Sequence, residues 1–315
     1  MYIAADIACI IPTKNRPQKI TNLLTTLEKQ TAPCGRIIIV ASGQNIENVV
    51  NDFRKRIPVE YHHSSISGQI LQRNFGINLL DDRTKLVATL DDDIELEPDA
   101  LERMVAFWNQ VESDTAGVGF NITNEPTHKY SKLRQILGTS GPEAGKILKS
   151  GINTSITNVG QTIRSEWLNG GATMWKQEIL RKYPHKEINV RWAVCEDLIY
   201  SYPIGKQYPL YVCADAHVRH EHIKDHTPNR KAMFYARNSV LWRFYFVSSN
   251  EDLSVPAFLG AIGGSIAADI FRGFHGFKKD KIEETLGETQ AIFRILKALL
   301  FSGDITDLIT EGNKE

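Results

Sequence analysis

The chain has 315 residues, of which 42% are hydrophobic and 23% are charged, and its 37 Lys and Arg residues balance 37 Asp and Glu residues. A chain of this length can bury a sizeable core, as one large or two modest domains. The zero net charge provides no overall attraction to nucleic acid, and we therefore expect no nucleic-acid partner. The four cysteines are scattered and form no Cys-x-x-Cys pair, which argues against a zinc site or a disulfide framework and favours a reducing compartment.

The N-terminal residues have no basic n-region and too short an apolar run for a signal peptide. The longest apolar stretch, 255–268, is interrupted by Pro256 and several glycines and is shorter than a membrane span requires. We therefore expect a cytoplasmic protein, either free in solution or peripheral at the inner face of the membrane.

Buried strands and amphipathic helices alternate through the first third of the chain. The apolar runs that predict strands are 7–11, 36–40, 59–61 and 86–90. The amphipathic segments that follow them predict helices over 18–30, 45–56, 68–80 and 98–111. Strands that are apolar throughout and alternate with helices predict an α/β fold with a mostly parallel sheet, covered by helices on both faces.

The middle of the chain has a weaker pattern. A strand is predicted at 117–122, and the polar stretch 123–160 is long enough to be a lid, a binding loop or a partly disordered segment. Order resumes at 168–175, followed by a short helix over 176–183. Two strand pieces are expected at 210–213 and 216–220, and from Lys231 onward the pattern is helical.

Three consecutive carboxylates, Asp91, Asp92 and Asp93, follow the apolar run that ends at Leu90. Open α/β sheets bind ligands at the carboxyl ends of their strands. Three like charges at such a point repel one another unless a cation lies among them, and hard oxygen ligands suit Mg²⁺ or Mn²⁺. The alternative is a solvated acidic turn ahead of the helix that begins near Pro98.

Five motifs in order carry a resemblance to a known family. They are Ile10-Ile-Pro-Thr-Lys-Asn-Arg-Pro17, Gly68-Gln-Ile-Leu-Gln-Arg-Asn-Phe-Gly-Ile77, Leu90-Asp-Asp-Asp-Ile94, Glu196-Asp197 and Ala214-Asp-Ala-His-Val-Arg-His220. The series resembles family 2 inverting glycosyltransferases of the GT-A fold, over about residues 5 to 240. Tyr235-Ala-Arg-Asn238 is similar to a pair found after the domain in rhamnosyltransferase-like members.

The resemblance implies three regions. Residues 1–225 would form the GT-A catalytic domain, with a nucleotide-binding half at about 1–115 and an acceptor half at about 116–225. Residues 226–315 would form a C-terminal helical extension. The composition of the tail, with apolar residues near Arg272, Lys278, Lys279 and Lys281, suits a peripheral membrane contact. More often such helices pack on the catalytic domain or form a homodimer contact.

The resemblance also implies a Mn²⁺ or Mg²⁺ site. Asp91 and Asp93 would contact the metal, with Asp93 nearest to it, while Asp91 and Asp92 would also bind the nucleotide sugar. His220 would complete the metal site, with His222 as the second candidate. The alternative for His220 is a surface histidine within a His-rich run.

The acidic pair Glu196-Asp197 corresponds to the family's catalytic pair, with Asp197 as the general base that removes the proton from the acceptor hydroxyl. The alternative is an acidic pair at a helix N-terminus, stabilised by the helix dipole.

The remaining implied contacts belong to the donor and the acceptor. Residues corresponding to nucleotide contacts are Pro12, Thr13, Asn15, Arg16, Gln69, Arg73 and Asn74. Those corresponding to the acceptor side are Trp167, Gly170 and Gly171, with a core role as the alternative for Trp167. Ala41 stands where the family usually has an aspartate that reads uracil, so Ser42 or the backbone would read the base and dTDP- or GDP-linked sugars stay open.

The expected function is metal-dependent, inverting transfer of a sugar from a nucleotide-diphosphate donor to a carbohydrate or lipid-linked acceptor, in polysaccharide or glycoconjugate synthesis. One alternative is a sugar nucleotidyltransferase, although no Gly-rich phosphate loop follows the first strand. The other is a nucleotide-sugar-binding module without catalysis.

Overall fold

The computed structural model describes residues 1–65, 67–187, 194–221, 230–273, 279–301 and 305–311. The chain divides into two compact units. The first comprises Met1–His128, Ile156–Glu187 and Tyr200–His222, and the second comprises Lys129–Ser155, Ile188–Ile199 and Ile223–Glu315. The domain boundary expected near residue 225 falls outside the described residues and stays a prediction.

The first unit is built on a sheet that has nine strands among the described residues. The strands are β1 (Ile7–Lys14), β2 (Arg36–Ser42), β3 (Val59–Ser64), β4 (Leu86–Leu90), β5 (Ile94–Leu96), β6 (Gly117–Ile122), β7 (Ile163–Ser165), β8 (Ala172–Lys176) and β9 (Leu210–His220). Their order is β3-β2-β1-β4-β8-β6-β9-β5, with β7 on β9.

The helices flank this sheet or form the second unit. Those of the first unit are α1 (Pro17–Glu28), α2 (Glu47–Asn51), α3 (Gln69–Asn78), α4 (Ala100–Trp108) and α6 (Gln177–Lys182). Those of the second are α5 (Lys132–Ile136), α8 (Arg230–Ser248), α9 (Val255–Gly273), α10 (Lys279–Leu300) and α11 (Ile305–Glu311). Helix α7 (Glu196–Gly205) begins in the second unit and ends in the first. The predicted α/β sheet and the C-terminal helices are therefore confirmed.

The strand pairing explains where the sequence pattern was incomplete. The first four strands along the sheet are parallel, as predicted, but β8 lies antiparallel between β4 and β6. The two strand pieces expected at 210–213 and 216–220 form one continuous strand, β9. The short strands β5 and β7 were not predicted, because three residues do not establish a period.

Helix α3 lies close to the sheet, because Gly76 has no side chain at the contact. A Cβ on Gly76 would lie 2.6 Å from Cγ2 of Ile10, in the middle of β1. The residues of β1 from Ile7 to Thr13 are buried, and a fully buried aliphatic side chain contributes about 1.5–3 kcal/mol. This packing places the N-terminal turns of α3 at the carboxyl ends of β1 and β2.

The second unit is helical around α8 and α10. The two helices approach closely at Gly287, where a Cβ would lie 2.2 Å from the carbonyl oxygen of Met233. Among the helices that the structure describes, none combines the length and the apolar character needed to cross a bilayer.

Candidate functional site

Asp92 lies at the carboxyl ends of β1 and β4 and is 5% exposed. The Thr13 hydroxyl donates to its Oδ2 at 2.6 Å, and Nη1 of Arg16 donates to its Oδ1 at 2.8 Å. Burial raises the pKa of Asp92, although the bonds from Thr13 and Arg16 oppose that shift. The structure therefore brings together the predicted residues of the first strand end and the acidic triplet.

Asp93 is joined to His220, because the antiparallel pairing of β5 with β9 aligns Ile94 with His220. His220 Nε2 lies 3.2 Å from Asp93 Oδ1, and His220 Nδ1 lies 3.1 Å from Oε1 of Glu125. Burial opposes ionisation of both groups, but their mutual hydrogen bond lowers the pKa of Asp93. Bonds to Asp93 and Glu125 raise the pKa of His220 to about 9.

Asn124 and Glu125 hold His220 in place, and sequence reasoning did not identify either residue. The backbone N–H of His220 donates to Oδ1 of Asn124 at 2.9 Å, and Nδ2 of Asn124 donates to the carbonyl of His220 at 2.9 Å. Both residues belong to the weakly patterned stretch after β6, so only the strand pairing shows their contact with β9.

Asp91 is supported from two sides. Its backbone N–H donates to the carbonyl of Gly171 at 2.8 Å. Its Oδ1 accepts from Nε2 of Gln69 at 2.5 Å and lies 3.3 Å from Nη2 of Arg73, which is 1% exposed. A Cβ on Gly171 would lie 2.1 Å from Cγ of Asp91, so only glycine leaves room for this carboxylate. The carbonyl of Gly170 accepts from the Thr89 hydroxyl at 3.0 Å.

Gln72 links the ends of the first two strands. Its Nε2 donates to the carbonyls of Thr13 and Val40, at 2.8 and 2.6 Å. Ser42, a predicted base contact, is fully buried, and its hydroxyl donates to Oε1 of Gln72 at 3.4 Å. Ala41 is buried in β2 and pairs with Thr13, so no carboxylate stands at that register position.

Asn15 has a backbone role. It adopts a left-handed conformation with φ of 56°, and its Oδ1 accepts from the backbone N–H of Gln44 at 2.7 Å. A Cβ on Gly43 would lie 2.3 Å from the same oxygen, so glycine is required there. The loops after β1 and β2 are thereby joined.

The middle of α3 contacts a second group of side chains, next to Arg73. Nδ2 of Asn74 donates to the carbonyl of His185 and to Oε1 of Glu187, each at 2.9 Å. The His185 ring stacks on Tyr200 with centroids 3.6 Å apart, and burial together with nearby Arg73 holds the pKa of His185 well below 6.5. A pattern of apolar residues could not identify this stack, because it joins two distant segments.

Pro12 and Trp167 belong to the protein interior. Pro12 is buried within β1 beside Val40, and Trp167 is 5% exposed. The carbonyl of Trp167 accepts from the Ser165 hydroxyl at 2.5 Å. The burial of Trp167 favours the core role that was the alternative for this residue.

The acidic pair lies in the second unit, in the first turn of α7. Oδ1 of Asp197 accepts from the backbone N–H of Leu198 at 2.9 Å. Arg237 and Asn238 are buried in α8. His222 is outside the described residues.

Two ligand atoms suited to a divalent cation lie together, Oδ1 of Asp93 and Nε2 of His220. Ligand atoms about 2.0–2.2 Å from one metal ion and at right angles lie about 3 Å apart, and the observed separation is 3.2 Å. The described part of the chain contains no group of three His, Cys, Asp or Glu residues that could hold a metal ion. The same 3.2 Å separation joins the two groups in a hydrogen bond, so a cation would take the place of its proton and would need its other ligands from phosphate and water.

Several solved structures have a similar fold. S. aureus TarS 1-349 aligns with a TM-score of 0.54 and 15% identity, over 97% of this chain and 89% of that chain. The complex of the same protein with UDP aligns with a TM-score of 0.52 and 14% identity, over 97% of this chain and 89% of that chain. A third similar structure is the mannosyltransferase PcManGT from Pyrobaculum calidifontis in complex with GDP-Man and Mn²⁺. It aligns with a TM-score of 0.56 and 13% identity, over 100% of this chain and 89% of that chain. Identities this low establish the fold alone.

The sequence itself establishes the family. No curated protein matches the chain. Residues 8–183, more than half of the chain, match the profile of Glycosyl transferase family 2, and this range contains α3, the acidic triplet and all of β1 except Ile7. The chain therefore belongs to glycosyl transferase family 2.

Proposed function

We propose that this glycosyl transferase moves a hexosyl or deoxyhexosyl group from a nucleotide-diphosphate donor to a carbohydrate or lipid-linked acceptor. Transfer would be metal-dependent and would invert the anomeric centre. The observation that carries the proposal is the group formed by Thr13, Arg16, Asp92, Asp93 and His220 at the carboxyl edge of the sheet. Open α/β sheets bind nucleotides at this edge.

The charges of this edge support a requirement for a cation. The triplet and Glu125 supply four carboxylates, and four basic side chains lie near them: Arg16, Lys19, Arg73 and His220. Their charges cancel when His220 is protonated, so a departing diphosphate brings negative charge that this group does not offset. Asp93 and neutral His220 would hold Mn²⁺ or Mg²⁺, with Asp91 beside them, and the bound cation would stabilise charge on the departing diphosphate.

The residues of the site would divide the remaining work. Thr13 and Arg16 would orient the nucleotide through the position of Asp92, while Gln69 and Arg73 would hold Asp91 toward the donor. Asp197 would accept the proton of the acceptor hydroxyl as it attacks. Glu196, the other member of the acidic pair, would assist Asp197. Gly170 and Gly171 would border the acceptor.

The nucleobase stays open, because Ala41 offers no carboxylate to read uracil. The similar structures contain UDP in one case and GDP-Man in another, and they do not agree on one base. A nucleobase whose buried hydrogen-bonding edge found no acceptor in the protein would bind more weakly. We therefore propose that a backbone group after β2 forms the hydrogen bond to the base.

Thermal-shift measurements test the proposal with UDP, GDP and dTDP, each with and without Mn²⁺. We expect one nucleotide to raise the melting temperature only when metal is present, and Asp93→Asn to remove that dependence. Turnover of Asp197→Asn then tests the base, with Asp114→Asn, at an exposed carboxylate outside the site, as the control. Normal turnover by Asp197→Asn would show that Asp197 is not the base. Full activity in excess chelator would show that the transfer does not require a metal ion.

A further inference from the structure

Helix α10 has two opposite apolar faces. One face packs on the second unit through Gly287, Ala291 and Ile295, which are buried. On the other side of the helix, five large apolar side chains are exposed: Ile282, Leu286, Phe293, Leu296 and Leu300. Phe293 is 71% and Leu300 77% exposed. A surface helix in a monomer normally exposes polar residues on the face opposite the core.

These five residues and Thr289, which is also exposed, form what we term the α10 stripe. Their positions, 282, 286, 289, 293, 296 and 300, are separated by four, three, four, three and four residues. This alternation is the a/d spacing of a coiled coil. An exposed coiled-coil seam requires a partner helix with the same spacing.

The α10 stripe matches itself when one copy is reversed. Position 282 then faces 300 of a second copy, 286 faces 296, and 289 faces 293, so every residue of the stripe has an opposite residue. A closed two-fold contact requires such a self-complementary surface.

The charges of α10 favour the same arrangement. Residues 281–288 contain one Lys and three Glu, whereas residues 289–301 contain one Arg and one Lys and no carboxylate. The two halves differ in net charge, so an antiparallel pair brings opposite net charges together and a parallel pair brings like charges together, although Glu288 is half-buried and Glu284 pairs with Lys281 in the same helix. The acidic half would also be repelled by an anionic lipid surface.

We infer that the protein forms a homodimer through antiparallel pairing of the α10 stripe with that of a second copy. The occupant of the exposed apolar face is a second copy of this chain, and the two-fold axis passes near residue 291. This assembly is independent of the proposed transfer reaction.

Sedimentation velocity of the full chain tests the inference, with a species of twice the chain mass of 35.5 kDa as the expected result. Leu296→Glu places a charge in the stripe and should weaken the dimer on the order of 100-fold or more. Leu133→Glu is the matched control, because Leu133 is 70% exposed on α5 and lies outside the stripe. Circular dichroism of both variants checks folding. A wild-type monomer at high concentration, or equal loss of dimer in both variants, would overturn the inference.

Oxidative cross-linking tests the orientation. In the antiparallel pair, the two copies of Thr289→Cys are offset along the helix by about 6 Å and should cross-link, while those of Ile282→Cys are about 27 Å apart and should not. Efficient cross-linking of Ile282→Cys would indicate a parallel pair and overturn this geometry. The wild-type chain, with its own four cysteines, supplies the background. If the wild type is instead monomeric and binds phosphatidylglycerol vesicles through the stripe, lipid is the occupant and the dimer is excluded.

Discussion

The carboxyl edge of the sheet and the α10 stripe differ in whether their side chains find partners within the same chain. At the sheet edge, Asp92 and Asp93 are enclosed by Thr13, Arg16 and His220 at hydrogen-bonding distances. Along the stripe, large apolar side chains lie in solvent. The carboxylates of the first region have partners within the chain, whereas the apolar side chains of the second region are exposed.

This difference predicts separable effects of mutation. A change at the sheet edge leaves a charged partner without compensation, so activity and local stability should fall while the mass in solution stays constant. A change on the stripe removes only exposed apolar area from a single chain, so the mass should change while the fold is retained. The predictions below, from the largest effect to the smallest, test that separation.

Asp93→Asn should have the largest effect. The substitution removes a charge that the proposed mechanism places beside the cation and the departing diphosphate, so kcat/KM should fall on the order of 100- to 1,000-fold. Asp114→Asn, an exposed carboxylate in the same unit, is the control and should retain activity. Sedimentation should show an unchanged mass for both. A change of mass in Asp93→Asn alone would contradict the separation of the two regions.

Glu125→Gln should weaken metal binding, since Glu125 orients His220 through a 3.1 Å contact with Nδ1. Loss of a carboxylate that orients a metal-binding histidine typically costs about 10- to 100-fold in metal affinity. Titration of Mn²⁺ by electron paramagnetic resonance, in the presence of nucleotide, measures this directly. Glu112→Gln serves as a control at an exposed position. Equal Mn²⁺ affinities of the two variants would show that Glu125 does not position His220 for metal binding.

Gly171→Ala should lower both stability and activity, because the new methyl group would overlap the Asp91 carboxylate at 2.1 Å. Overpacking of this kind costs about 1–3 kcal/mol of unfolding free energy. Gly160→Ala is the matched control, since a Cβ at Gly160 meets nothing within 4 Å. Chemical denaturation compares the two variants, and equal stability would show that Asp91 can move without cost.

Two histidines should limit stability at opposite ends of the pH scale in the metal-free protein. The pKa of His220 is raised from 6.5 to about 9, so its contribution is complete below about pH 6.5 and is lost as pH rises through about 9. After allowance for solvent screening, this contribution amounts to about 1–2 kcal/mol. The pKa of His185 is lowered, so its contribution is present above about pH 6.5 and is lost at acid pH.

Denaturation curves across the pH range should therefore separate the two residues. His220→Gln should remove the loss of stability on the alkaline side, and His185→Phe should reduce the loss on the acid side. If His220→Gln loses as much stability at alkaline pH as the wild type does, the ion pair between His220 and Asp93 does not contribute to the free energy of unfolding.

Much of the fold and part of the site were predictable from local pattern. The apolar runs identified β1, β2 and β4, because a strand buried on both faces is continuously apolar. The acidic triplet was identifiable because it follows such a run directly. Gly171 was expected on the acceptor side, and the structure places the Asp91 carboxylate against it.

The partners of these residues could not be predicted in the same way. Glu125 and His185 lie in segments without periodicity, and Gln72 reads only as a polar residue near a helix start. Their contacts join residues as far apart as Thr13 and Gln72, or Glu125 and His220, and no local spacing encodes such a distance.

The sequence by itself determined the alternation of strands and helices, the acidic strand end and the family, because each depends on residues adjacent or nearly adjacent in the chain. Only the tertiary structure decided that Asp93 lies against His220, that Trp167 and Ser42 are interior residues, and that one apolar face of α10 is exposed. The physical reason is that strand order, β-pairing register and helix packing determine which distant side chains meet, and which apolar faces are left for a partner.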